Sequence, residues 1–223
     1  MRRSWKSGFI QARGDPGDLN TRRDTLTLAA ALACLAAGAV AAEPGVGQVA
    51  RSSGAVEVVR AGSVLGLTLG DPVFQHDIVR TGPDGRLLIV GGDGLRIALG
   101  PGTELAVHAY LEREAGGGFT VVLGLLQGIA RLIGGEPAAP RTIEVDTRTA
   151  VASVRSTEWL IESTARGTAV LSIVGEVSVL GLAGGSVVLR PGQGTDVPPD
   201  GPPKAAATWG EARRRDALAR TTP

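Results

Sequence analysis

Short runs of apolar residues, many alternating with polar ones, fill the chain from residue 46 to residue 197. In Val56-Glu57-Val58 the apolar and charged positions alternate, as on a strand with one face toward solvent. Turn residues separate the runs, and Gly91-Gly92-Asp93-Gly94 is typical of a hairpin because these residues tolerate positive φ. The predicted strands are Val46–Arg51, Ala55–Arg60, a short strand within His76–Thr81, Arg86–Val90, Leu95–Leu99, Glu104–Glu114, Phe119–Leu126, Ile129–Ile133, Ile143–Asp146, Val151–Val154, Trp159–Ser163, Ala169–Val174, Val177–Leu182 and Ser186–Arg190.

No stretch between residues 46 and 197 has a helical period. Many short strands at close spacing predict a single all-β domain, built as a sandwich, a roll or a β-solenoid-like barrel. Gly54, Gly128 and Gly175 each precede a strand of alternating pattern. Because the distances between these glycines differ, they are better explained as the ends of hairpin turns than as the repeat of a fixed-period solenoid.

Residues 1–42 have the parts of a secretory signal peptide. Arg22-Arg23 precedes the uncharged apolar run from Thr25 to Ala42, whose small-residue ending predicts cleavage after Ala41 or Ala42. The arginine pair also resembles the twin-arginine export pattern, with the general secretion route as its rival. We therefore expect a leader helix that is removed and a protein of the periplasm. Retention of the 18 apolar residues as a membrane anchor is the disfavoured alternative.

Residues 198–223 differ in composition from the β-rich body. The first of them are rich in proline and glycine and predict a linker, and Ala205–Arg220 can form a short basic helix. A solvated tail is the favoured interpretation, with partner docking or membrane contact through Trp209 and its neighbouring arginines as the alternative.

Composition excludes several classes of function. Lys+Arg 23 against Asp+Glu 22 gives no basic field, so nucleic acid is not an expected partner. The single cysteine, Cys34, lies in the leader, which removes disulfides and thiolate chemistry from the predicted mature chain. Aromatic residues make up only 3% of the chain, so a stacking platform for sugars or single strands is poorly supported.

The chain offers no pattern of catalytic or metal-binding residues. Its two histidines, His76 and His108, have no ligand partners at metal spacing, so no metal or cofactor is expected. Asp71 and Asp77 are better explained as turn caps than as an acid–base pair. No Gly-x-Ser-x-Gly elbow is present, so a hydrolase is the weakest hypothesis and no catalytic residue is predicted.

Taken in order, several short motifs over roughly residues 46–197 resemble the FecR domain, a periplasmic module of bacterial iron-transport regulators. They are Gly54–Val58, Asp77–Gly82, Gly85–Leu87, Gly92–Ile97 with Leu99, Pro101 and Thr103, Leu126–Gly128, Val145–Thr147 with Ala150 and Ala152, Val154–Trp159 and Val174–Val179. The residues carried over from this resemblance, which we expect to be structural, are Gly54, Asp77, Thr81, Gly82, Gly94, Gly128, Arg155, Thr157 and Gly175.

Two departures from the family pattern limit what the resemblance implies. Ser156 stands where the family has glycine, and the segment before the apolar run has no helical pattern able to form the cytoplasmic anti-sigma region. The resemblance therefore implies a non-enzymatic module for protein–protein interaction or signal sensing in the envelope, without implying control of a sigma factor. An envelope scaffold or carbohydrate-binding module is the alternative.

Overall fold

A computed structural model describes residues 45–113, 119–135, 141–155 and 158–222 of the chain. The strands of the first part are β1 (Gly47–Ser53), β2 (Val56–Arg60), β3 (Ser63–Gly66), β4 (Pro72–Val73), β5 (Ile78–Thr81), β6 (Arg86–Gly91), β7 (Arg96–Leu99) and β8 (Glu104–Arg113). Those that follow are β9 (Phe119–Ile133), β10 (Arg141–Asp146), β11 (Ala150–Arg155), β12 (Glu158–Thr164), β13 (Gly167–Val174), β14 (Val177–Gly181), β15 (Ser186–Leu189), β16 (Gln193–Val197) and β17 (Ala207–Thr208). One helix, α1 (Glu211–Arg220), comes last.

The strands form two sheets that share β9. Sheet A has the order β4-β1-β6-β7-β9-β12-β13-β16-β17. Sheet B has the order β3-β2-β5-β8-β9-β10-β11-β14-β15. Every pairing is antiparallel except that of β9 with β10. The prediction of an all-β domain is confirmed.

Strand β9 passes from one sheet to the other along its own length. Its first part, up to Gln127, pairs with β8 and β10 in sheet B, and its last part, Gly128–Ile133, pairs with β7 and β12 in sheet A. The prediction of two separate strands, Phe119–Leu126 and Ile129–Ile133, was wrong. Gly128 bends the strand at φ +91° without ending it, because a residue without Cβ adopts this conformation at little steric cost.

One hydrophobic cluster contains the inward-facing residues of both sheets. Leu87, Ile97 and Trp159 of sheet A belong to it together with Leu105 and Ile143 of sheet B, and all five are buried. Alternation explains these positions, because successive side chains of a strand point to opposite faces. The two sheets therefore pack against each other through their inner faces.

The C-terminal residues pack against the outer face of sheet A, and this corrects the solvated-tail interpretation. Trp209 is 7% exposed and forms a second cluster with Leu160, Leu171 and Ala217 of α1. Gly194 leaves the space for the indole, since a Cβ there would lie 2.5 Å from the Val170 carbonyl oxygen as well as on the Trp209 ring. The limits of the predicted linker and tail, 198–223, stay a prediction, as do those of the leader and the body.

Candidate interaction surface

Four of the residues predicted from the family resemblance, Gly54, Thr81, Gly82 and Gly128, serve the junction between the sheets. The Thr81 hydroxyl donates to the Gly100 carbonyl at 2.7 Å. The Gly82 amide donates to the Ala55 carbonyl at 2.8 Å. A Cβ at Gly54 would lie 2.7 Å from the Asp84 carbonyl oxygen, so the backbones approach too closely there for a side chain.

Thr103 holds the bend of β9 at Gly128. Its backbone amide donates to the Thr81 hydroxyl at 2.9 Å, and its own hydroxyl accepts the Ile129 amide at 3.0 Å. A Cβ on Gly128 would overlap the Thr103 backbone and side chain. Thr103 was among the residues that carried the family resemblance but not among the predicted site residues. Its buried hydroxyl therefore holds the backbone of β9 at the bend.

Asp77 anchors a turn and an arginine. Its carboxylate accepts the Arg60 Nε at 2.8 Å and Nη2 at 2.7 Å, and its Oδ2 also accepts the Phe74 amide at 2.8 Å. The hydrogen bond to Asp77 raises the pKa of Arg60, whose guanidinium lies 4.3 Å from the centre of the Phe74 ring. Asp71 accepts the Thr68 amide at 2.7 Å, and this bond lowers the pKa of its carboxyl group. Both aspartates are turn caps, as the sequence predicted.

The remaining predicted residues lie apart from one another. Gly94 and Gly175 occupy turns at φ +81° each, ahead of β7 and β14. Arg155 is exposed at the end of β11, and its side chain donates no hydrogen bond to another described residue. The structural role expected of Arg155 therefore stays a prediction. Thr157 and Ser156 lie outside the described residues.

A buried ion pair, which sequence reasoning missed, braces the two sheets. Arg141 at the start of β10 pairs with Asp93 in the turn between β6 and β7, 48 residues away. The Tyr110 hydroxyl donates to the same Asp93 carboxylate at 2.7 Å. Burial lowers the pKa of Arg141 and raises that of Tyr110. The sequence explains Asp93 as part of a glycine-rich hairpin turn. No local pattern links it to Arg141, which is distant in the sequence.

The outer face of sheet B carries a row of mostly apolar residues that runs across all nine strands. Each member of the row is the cross-strand neighbour of the next. From β3 to β15 they are Val64, Val59, Ile78, Ala106, Gly124, Asp146, Val151, Leu180 and Ser186. The ends of the row are exposed, with Val64 at 58% and Leu180 at 52%, whereas Ala106 and Gly124 in its middle are buried. Val188, two residues from Ser186 on β15, adds a further exposed side chain of the same face.

Charged residues flank this row. On one side, Arg80 lies 3.0 Å from Glu104 and 4.0 Å from Glu57. On β10, Glu144 and Asp146 share the outer face and form no ion pair with another described residue. Burial, with a smaller contribution from the charge of Asp146, raises the pKa of Glu144. The outer face of sheet B thus combines apolar residues, exposed at the ends of the row, with charged residues that are mostly acidic, whereas α1 and Trp209 cover the corresponding part of sheet A.

The described residues contain no group of three His, Cys, Asp or Glu placed to hold a metal ion. His76 occupies a turn at φ +68°, and His108 lies over Gly124, where a Cβ would overlap its ring. In the same part of the chain, no helix has the length and hydropathy needed to cross a membrane.

Two packed sheets joined through one shared strand define the protein as an all-β domain. Comparison with known proteins adds the family: a model described as FecR protein matches residues 77–178, which run from the turn before β5 into β14. This match confirms the resemblance to the FecR domain family. No curated protein matches the chain.

Two crystal structures from Parabacteroides distasonis ATCC 8503, each described as that of a candidate anti-sigma factor, are similar in fold. The structure at 1.65 Å resolution has a TM-score of 0.50 and 16% sequence identity, and the match covers 63% of this chain and 64% of that chain. The other, at 2.50 Å, has a TM-score of 0.53 at 15% identity and covers 63% of each chain. The likeness at this identity is one of fold, and the present chain spans less than two thirds of the structures it matches.

Proposed function

We propose that the protein is an exported, non-enzymatic FecR-like module that docks a protein partner of the cell envelope through the outer face of sheet B. The observation that carries this proposal is the set of exposed apolar side chains at the two ends of that face, Val64 on β3 at one end and Leu180 and Val188 on β14 and β15 at the other. Apolar side chains exposed on one face commonly mark an interaction site.

The chemistry of the face favours a protein as the partner. Protein interfaces combine apolar side chains that are desolvated on binding with charged residues that set specificity. Glu57, Glu104 and Glu144 lie beside the row and Asp146 lies within it, so the complementary surface carries lysine or arginine next to apolar side chains.

The family context supports a role in signalling. A FecR model matches the chain, and the proteins with similar folds are described as a candidate anti-sigma factor. We infer that partner binding at sheet B serves signal sensing in the periplasm. The signal-peptide pattern of residues 1–42 supports the location, and N-terminal sequencing of the protein recovered from the periplasm tests it. An intact leader would contradict export with cleavage.

A carbohydrate-binding or scaffold role is the alternative. Sugar-binding surfaces commonly use exposed aromatic rings, whose faces stack on the sugar. Among the described residues, Phe74, Tyr110 and Phe119 are half-buried, while Trp159 and Trp209 are buried. This distribution weighs against the alternative.

The test compares two charge substitutions on surfaces of matched exposure. Leu180→Asp lies on the proposed face, where the side chain is 52% exposed, and Val174→Asp lies at the end of β13 in sheet A, where it is 56% exposed. Both proteins are immobilised and used to recover partners from an envelope extract, with thermal unfolding to confirm folding. We expect Leu180→Asp to lose a partner that the wild type and Val174→Asp retain. Equal recovery by all three, or glycan-array binding with no protein recovered, would overturn the proposal.

A further inference from the structure

A cationic cavity lies on the opposite side of the molecule from the proposed docking face. It has a volume of about 300 Å³, at the lower end of the range for small-molecule sites, and it opens between the outer face of sheet A and the C-terminal segment. Three cationic residues line it: Arg166 from the turn between β12 and β13, Lys204 from the segment before β17, and Arg213 from α1.

Two ion pairs neutralise the carboxylates that line the cavity. Arg213 donates to Asp196 at 3.2 Å through Nη1, and its guanidinium lies 3.6 Å from the centre of a Trp209 ring. Arg220 donates to Glu162 at 2.7 Å, and this bond raises the pKa of Arg220. The carboxylates that line the cavity, Asp196 and Glu162, are therefore both engaged.

Arg166 and Lys204 are the unpaired charges of the cavity. Neither forms an ion pair with another described residue. Both side chains are exposed, and their backbone is hydrogen-bonded: the Lys204 amide donates to the Asp196 carbonyl at 3.0 Å, and the Arg166 amide donates to the Thr164 hydroxyl at 3.2 Å. The wall of the cavity thus carries two positive charges without an ion-pair partner among the described residues.

We propose that this cavity binds a phosphate monoester. A phosphate monoester carries a charge of about −1.5 to −2 at neutral pH, which matches the two unpaired cations. Arginine can donate two hydrogen bonds to one phosphate, and lysine adds a point charge. The volume accommodates the phosphate with a small attached group such as glycerol or one sugar ring. The phosphate can come from a soluble ester or from a lipid headgroup.

The test uses inorganic phosphate, glycerol 3-phosphate and phosphatidic acid vesicles, whose headgroup is a phosphate monoester, as probes of the whole protein. Amide chemical shifts are followed during titration with the two soluble probes, and vesicles are tested by co-sedimentation. The site variant is Arg166→Gln/Lys204→Gln. The control is Arg51→Gln/Arg96→Gln, which makes the same change in net charge at two exposed positions away from the cavity.

We expect saturable shifts confined to residues around the cavity. The site variant should bind glycerol 3-phosphate at least about tenfold more weakly, because each lost charge-assisted hydrogen bond has roughly that effect. The control should retain wild-type affinity. Vesicle binding that glycerol 3-phosphate displaces would identify a lipid source, and binding of the soluble ester without vesicle binding would identify a soluble one. No saturable binding, or equal weakening in site variant and control, would overturn the proposal.

Discussion

Replacing Trp209 by alanine tests whether the C-terminal segment is part of the folded domain. The indole is 7% exposed and packs on Leu160 and Leu171 of the outer face of sheet A. A buried aromatic side chain removes about 150–250 Å² from solvent, and at about 25 cal/mol per Å² this corresponds to roughly 4–6 kcal/mol. A compact unfolded state lowers such figures by about 10–40%, so we expect Trp209→Ala to reduce the free energy of unfolding by about 3 kcal/mol.

The assay is equilibrium unfolding in guanidinium chloride, read by far-ultraviolet circular dichroism, which does not depend on the tryptophan that is removed. Arg214→Ala is the matched control, because this exposed residue lies on the same segment and forms no ion pair with another described residue. The control should lie within about 0.5 kcal/mol of the wild type. A loss below about 1 kcal/mol for Trp209→Ala would refute the packed arrangement and favour a solvated tail.

Five further substitutions test local features of the fold by the stability of the variant proteins. Ala61 has φ +47° in the turn between β2 and β3, so Ala61→Gly should stabilise by up to about 1 kcal/mol, whereas Gly62→Ala, at φ +81°, should destabilise by a similar amount; the same sign for both would contradict the turn geometry. Gly128→Ala should cost more than about 3 kcal/mol, because it adds an overlap with a buried threonine to backbone strain, and near wild-type stability would show that the bend can move. The raised pKa of Glu144 means that folding favours its protonated form, so stability falls as pH rises from the unfolded pKa through the folded one. Glu144→Gln should therefore raise the melting temperature at pH 7 more than at pH 4, and an equal effect at both would exclude the charge as the cause. Arg155→Ala should be neutral within about 0.5 kcal/mol, since the side chain is exposed, and a large loss would restore a structural role.

Local patterns predicted the strands and turns well, because both depend on neighbours in the sequence. Alternation places Val56 and Val58 inward with Glu57 between them, and the structure has this arrangement. Turn chemistry placed Asp71 and Asp77 as caps, and the hydrogen bonds to Thr68 and Phe74 agree.

Features that depend on distant residues were not predictable in this way. In the sequence, Gly128 suggests a turn between two strands. Only the pairing of β9 with four other strands shows that one strand continues through this glycine. The covering role of the C-terminal segment had one available signal. Trp159-Leu160-Ile161 is a contiguous apolar run, and such a run on a strand requires cover on both faces.

The same limit applies to the interaction surface. The apolar row on sheet B combines single residues from nine strands, and none of these strands is unusual by itself. Strand order and register had to be known before Val64 and Leu180 could be placed on one face.

The shared strand β9 has a consequence for the order in which the protein folds. Its residues form ladders with β7 and β8, which precede it, and with β10 and β12, which follow it. Neither half of the chain can complete its sheets until β9 is available. When the chain has been synthesised only up to β8, strands β7 and β8 therefore still lack the neighbour with which they pair. We expect folding to be slow, since most pairings join residues distant in sequence, and the last amides to exchange with deuterium to be those of β9.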